Sequence, residues 1–204
     1  MKQFALLISL FTFTILESYG QCTGCGGTTN NGNNSSAIGT NTVSTGNSSF
    51  ASGFGSEATA NYTTALGFYA KATYSKGIAL GSAVKATVYK SVVIGSGDWN
   101  ANVYLENNVP RSLMVGFQSR YPTLFVSESP LSAYYNKTGK IAIGNVINEN
   151  GYMDPQAKLH LRADAGEEAA VFIEPHTWEP RARANLWLGN MYHGVSAEFD
   201  NGLV

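Results

Sequence analysis

The chain has 204 residues, a formal net charge of −1 and 22 glycines, and only 13% of its residues are charged. That length allows one or two domains. No run of Lys and Arg gives the footprint of a nucleic-acid-binding protein, and low charge with recurrent Gly, Asn, Ser and Thr points to β structure rather than helices.

Lys2 precedes an apolar stretch from Phe4 to Leu16, and Ser18 and Gly20 offer small residues at cleavage positions. This predicts a secretory signal peptide over residues 1–20. The apolar stretch is shorter than the ~20 residues that span a bilayer. No other stretch is long enough, so the reading is an exported chain with no direct membrane insertion of its own. Gln21 stands before Cys22 where a lipidation signal needs a small residue. Residues 21–34 read as a Gly/Asn-rich linker. Cys22 and Cys25 within it read as a small disulfide loop or two uninvolved thiols, since neither a βαβ context nor further zinc ligands lie nearby.

From residue 35 the chain repeats itself. Glycine stands at Gly39, Gly53, Gly67, Gly81 and Gly95, always 14 residues apart. Two residues before each come Ala37, Ala51, Ala65, Ala79 and Val93; five after come Ser44, Ala58, Ala72 and Ala86; six after come Thr45, Thr59, Thr73 and Thr87. Agreement in four columns marks an internal repeat. Fourteen residues are too few for a pair of helices and suit two short strands and two turns, one coil of a solenoid stacked at ~4.8 Å on the next. The glycines are expected at turns, where a side chain would penalise the backbone conformation. The small columns lie half a coil apart, so Ala79 and Ala86 are expected on opposite walls, both facing inward. Their neighbours point outward. One outer wall then carries Ile38, Leu66, Ile78, Leu80, Val92 and Ile94, with Phe50, and is expected to be a self-association seam. The other carries Val43, Glu57, Lys71 and Lys85 beside the threonine column.

The stretches Ser75–Thr87 (SKGIALGSAVKAT) and Ser91–Gly95 (SVVIG) resemble the repeats of YadA-like heads of trimeric autotransporter adhesins. The resemblance covers residues 35–97; Val93 and Ser52 depart from its alanine and large apolar columns. It implies a left-handed parallel β-roll, three chains side by side, and attachment to host or other surfaces at the exterior of a bacterial outer membrane.

After Gly97 the register is lost, and 98–112 read as an insertion or loop. Leu113-Met114-Val115-Gly116 and Ile141-Ala142-Ile143-Gly144 restore the apolar triplet closed by glycine, two coils' worth apart. Between them Thr123–Ser127 and Ser132–Asn136 are candidate strands, with a turn at Lys137–Gly139. Lys140–Gly144 and Pro155–Leu161 (PQAKLHL) are similar to stretches of phage tail-fibre-like and bacterial surface-fibre proteins. Residues 113–204 thus read as a β-rich fibre-like region, truncated relative to a longer fibre.

No catalytic, metal or cofactor site is expected. His160, His176 and His193 have no spacing that converges them, and adjacent carboxylates such as Glu167 and Glu168 do not form an acid/base pair. The period is not a multiple of six, as hexapeptide acyltransferases require, and the repeats lack the aspartates of calcium rolls. The leading expectation is a non-catalytic surface-fibre head acting as a homotrimer on an unknown surface, matrix or glycan ligand. A second is a glycan- or ice-binding solenoid using the Thr45/Thr59/Thr73/Thr87 ladder. A third is a polysaccharide-cleaving enzyme with Glu174, His176 and Arg181.

Overall fold

A computed structural model describes residues 26–130, 137–173, 183–187 and 194–198. The expected signal peptide, both cysteines, the 132–136 strand and the residues Glu174, His176, Arg181 and His193 lie outside the described residues. Among the described residues there is no helix. The chain divides into two units, 1–164 and 165–204.

The first unit is a β-solenoid. Its coils are built from β1 (Thr29–Asn30), β2 (Ser36–Thr40), β3 (Val43–Ser44), β4 (Phe50–Phe54), β5 (Glu57–Ala58) and β6 (Thr64–Phe68). They continue through β7 (Lys71–Ala72), β8 (Ile78–Ser82), β9 (Val84–Ala86), β10 (Val92–Ser96), β11 (Leu105–Asn107) and β12 (Leu113–Gly116). The odd strands form a six-stranded parallel wall and the even strands a second parallel wall. Every column of the repeat is a column of paired residues: Ala37, Ala51, Ala65, Ala79, Val93 and Met114 stand in line, as do Gly39, Gly53, Gly67, Gly81, Gly95 and Gly116. Ala79 and Ala86, on opposite walls, are both fully buried.

The glycine column is not at the turns. Each glycine from Gly39 to Gly95 is the fourth residue of a strand, with φ between +121° and +134°. A Cβ on any of them would sit within 2.1 Å of the carbonyl oxygen of the next coil's glycine. Glycine recurs because successive backbones nest there as well as because of its conformation. The turns come two residues later, at the left-handed residues Asn41, Gly55, Tyr69 and Ala83. A second series on the opposite corner comprises Asn34, Ser48, Tyr62, Lys76, Lys90 and Arg111. Left-handed backbone costs a non-glycine residue about 1–2 kcal/mol. The stack offsets this, because these residues' N–H groups donate across the coils: Tyr62 to the Asn47 carbonyl at 2.8 Å, Tyr69 to Phe54 at 2.8 Å, Lys76 to Asn61 at 3.0 Å.

A hydroxyl column, interrupted at Gly77, closes the coils from inside. Ser35, Ser49, Thr63, Ser91 and Ser112 each donate to the carbonyl three residues back, at 2.6–2.7 Å. Toward the C-terminal end the inward side chains become larger, Val93, Met114 and Phe125 following Ala51, Ala65 and Ala79 on the even wall, and Val84 and Leu105 following Thr42, Ser56 and Ala70 on the other. Small residues suffice over the first coils, and the larger Val84, Val93, Leu105, Met114 and Phe125 are themselves buried, as a close-packed interior requires.

The stretch 98–112 is not one loop. Leu105, Glu106 and Asn107 pair with Val84, Lys85 and Ala86, 21 residues back. The insertion is therefore seven residues, Asp98–Tyr104, and the coil resumes at Leu105 because that side chain takes the inward place of Val84. Asn107 falls in the buried alanine column. It is tolerated because its amide donates to the carbonyls of Val92 and Ser112, at 2.8 and 3.1 Å, while its oxygen accepts from the Val109 N–H and the Ser112 hydroxyl. A buried amide so satisfied escapes the desolvation penalty.

Beyond β12 the chain stops coiling. β13 (Leu124–Val126) pairs antiparallel with β12 and with β14 (Ile141–Ile143), and β15 (Leu159–Leu161) pairs parallel with β14. The 28-residue interval between the two glycine-closed triplets is an antiparallel excursion rather than two coils. It extends the even-strand wall to nine strands, while the odd-strand wall ends at β11. Val146 and Met153, both buried with Phe125 and Ala142, cover the space where further odd strands would lie. Such a cap keeps the solenoid's core from ending in water. In the second unit, β16 (Arg183–Trp187) and β17 (Gly194–Glu198) form an antiparallel pair.

Candidate functional site: an apolar face across nine strands

In the even-wall strands from β2 to β14 the alanine-column residue is buried and its two neighbours point out, and in β15 the half-buried His160 takes that column. The register lines those neighbours up in two rows. One runs Ser36, Phe50, Thr64, Ile78, Val92, Leu113, Val126, Ile141, Leu159; the other runs Ile38, Ser52, Leu66, Leu80, Ile94, Val115, Leu124, Ile143, Leu161. The six expected seam residues all lie on this one outer face: Ile78 and Val92 in the first row, Ile38, Leu66, Leu80 and Ile94 in the second. Only Ser36, Thr64 and Ser52 interrupt the apolar character. At ~4.8 Å between strands the face is about 38 Å long.

Side chains on it remain solvent-accessible in the single chain, Ile38 at 46%, Ile143 at 42% and Leu159 at 53%. Leu66 and Leu80 are half-buried by their neighbours in the row. The face continues far past residue 97. The sequence carried that signal in the alternation of Leu113/Val115, Ile141/Ile143 and Leu159/Leu161, but the antiparallel order that brings these strands together was not readable from it.

One margin of the face is aromatic. Phe54 stacks on Phe68 at 5.6 Å between centroids, Phe68 meets Tyr69 edge-on at 4.7 Å, and Tyr69 stacks on Trp99 of the insertion at 3.6 Å. Tyr104 meets Trp99 edge-on. The insertion is thus fixed to the turn columns by rings, contacts that add about 0.5–1.5 kcal/mol each beyond their burial.

The odd wall is different. Thr45, Thr59 and Thr73 are exposed in line, while the half-buried Thr87 hydroxyl lies 3.1 Å from Glu106 Oε1 and 3.2 Å from the Asn107 carbonyl. Beside the ladder runs a column of mixed charge. Lys71 pairs with Glu57 at 2.6 Å, and the Lys85 ammonium sits 3.8 Å from the Tyr104 ring centre. Burial pushes the Tyr104 phenol above its usual value, with the Lys71 ammonium opposing. A flat double row of threonines is not present.

At the corner opposite the aromatic margin, Tyr89 lies among cations. Some desolvation would raise its phenol's pKa, yet the Lys76 and Lys90 ammonium groups hold it below the usual value.

Fold and face define an all-β solenoid of 14-residue coils with one outer wall built of aliphatic rows. No protein-family model matches the chain, and neither a curated protein nor a solved structure gives a significant match. Among the described residues no helix is long and apolar enough to cross a membrane.

Proposed function

We propose that this protein is a non-catalytic attachment head, exported to the exterior of a bacterial cell, that works as a homotrimer of solenoids joined through the nine-strand face. The observation that carries the reading is the pair of aliphatic rows. A monomer would keep about 38 Å of outward Ile, Leu and Val in water. Burying one large aliphatic side chain contributes ~1.5–3 kcal/mol, so a dozen or more per chain can offset the entropy of association. Three-fold closure comes from the resemblance of residues 35–97 to YadA-like heads; the face by itself argues for self-association. The odd wall, with its charges and exposed threonines, then faces outward, where a ligand can be met.

Three copies of one weak site on a rigid head bind an immobilised surface by avidity, gaining on the order of 10²-fold or more over one copy. An array of matrix proteins and glycans, probed with the wild-type protein, is expected to show retention on at least one class of surface. A Leu80→Glu protein is expected to lose most of it. Retention on no surface at all contradicts the attachment reading.

A further inference from the structure

The corner that leads into the even wall carries a line of cations. Lys76, Lys90 and Arg111 occupy the same left-handed position in three successive coils. Their N–H groups donate to the carbonyls of Asn61, Ser75 and Tyr89 in the coil before, at 3.0, 3.2 and 2.9 Å. The backbone ladder therefore fixes one cation per coil, ~4.8 Å apart along the axis. All three side chains are exposed. Tyr89 lies between them, its ring centre 5.8 Å from the Lys76 ammonium, 5.3 Å from the Lys90 ammonium and 5.6 Å from the Arg111 guanidinium. Lys76 also approaches the ring of Tyr62, which is 59% exposed.

The charges are not balanced locally. The segments of chain that turn this corner, 59–64, 73–78, 87–92 and 108–113, contain no Asp or Glu. Arg111 reaches Glu128 at 3.1 Å, but among the described residues neither Lys76 nor Lys90 has a carboxylate partner. The electron-rich phenol and ring of Tyr89 take that place, a weaker partner than a carboxylate.

We propose that this corner binds a linear anionic polysaccharide laid along the solenoid axis, with Lys76 and Lys90 pairing acid groups and Tyr62 offering a ring face to a neighbouring sugar. A stiff, extended glycan presents carboxylates or sulfates in a line, and a line of evenly spaced cations matches it. Three cations on a chain of net charge −1 do not make the broad basic surface that nucleic acid needs. The proposal names a ligand class for the attachment reading and rests on that reading only for its setting, because the corner belongs to a single chain.

Heparin and polygalacturonate serve as sulfated and carboxylated probes, with dextran as the uncharged control and oligothymidylate as the nucleic acid. Binding is measured by calorimetry at several salt concentrations, with light scattering alongside to give the oligomeric state. The variant is Lys76→Asn with Lys90→Asn. Asparagine is at ease in left-handed backbone, and Asn34 already holds that position in the first coil, so the fold is preserved. The wild type is expected to bind at least one anionic polysaccharide, more weakly as salt rises, and to ignore dextran. The double variant is expected to lose at least tenfold in affinity with a shallower salt dependence, whereas Lys85→Asn on the odd wall changes neither. The proposal is overturned if neither anionic probe binds, if the double variant binds as the wild type does, if Lys85→Asn costs as much, or if oligothymidylate binds more tightly than both polysaccharides. A monomeric wild type that shows the lysine-dependent binding keeps this proposal and removes the trimer. A trimer that fails to bind does the reverse.

Discussion

Gly67→Ala is expected to destabilise the solenoid by at least about 3 kcal/mol, enough to abolish folding of a marginally stable unit. Two effects add. Gly67 has φ +130°, a backbone region that costs a residue with a side chain about 1–3 kcal/mol. Its Cβ would also meet the Gly81 carbonyl oxygen at 1.9 Å and the Gly81 carbonyl carbon at 2.8 Å. Those atoms are backbone held in the ladder between β6 and β8, so the contact is relieved only by separating two coils. Gly151→Ala isolates the first effect. Gly151 has φ +78° and no atom within 4 Å of the added Cβ, so its cost is expected to stay near 1–2 kcal/mol. Urea unfolding of the two variants followed by circular dichroism measures the difference. Equal costs would mean that the nesting of glycines contributes nothing.

Leu80→Glu is expected to dissociate the assembly while leaving the coil intact. Leu80 points outward between Leu66 and Ile94 in the middle of its row, so the substitution removes no contact inside the solenoid. In a trimer it brings three carboxylates into an apolar seam, each with an unpaired-charge penalty of several kcal/mol. Sedimentation is expected to show the variant as single chains at concentrations where the wild type is associated, with an unchanged β spectrum. Lys71→Glu on the odd wall breaks the pair with Glu57 at a cost of ~1 kcal/mol or less and is expected to leave the mass unchanged. A Leu80→Glu protein that stays assembled at low concentration, or a Lys71→Glu protein that falls apart, places the interface elsewhere.

The parts of the fold that were legible in the sequence are those where stacking demands one residue type. The nested backbones admit only glycine at Gly39 to Gly95, and the near-touching walls admit only small side chains at Ala51, Ala65, Ala79, Ala58, Ala72 and Ala86. Where stacking fixes the backbone but not the residue, the sequence is silent. The left-handed corner runs Asn34, Ser48, Tyr62, Lys76, Lys90, Arg111, which share a conformation and, from Ser48 onward, a hydrogen bond to the coil before, but no chemistry. The cation line was hidden for that reason, as was the inner hydroxyl column, which Gly77 interrupts. The seven-residue insertion masked β11 by stretching one interval to 21. The antiparallel excursion through β13 imitated two coils because its two flanking triplets both face the same wall. The aliphatic face was visible over its first coils only, since its remainder depends on strand order rather than on period.

The central claim is that the nine-strand face joins a closed set of three chains. Sedimentation equilibrium of the mature protein, over a hundredfold range of dilution, tests it most directly. The account predicts a single species of three chain masses that persists at the lowest concentration. A species of one chain mass throughout, or open-ended growth with no preferred size, would contradict it.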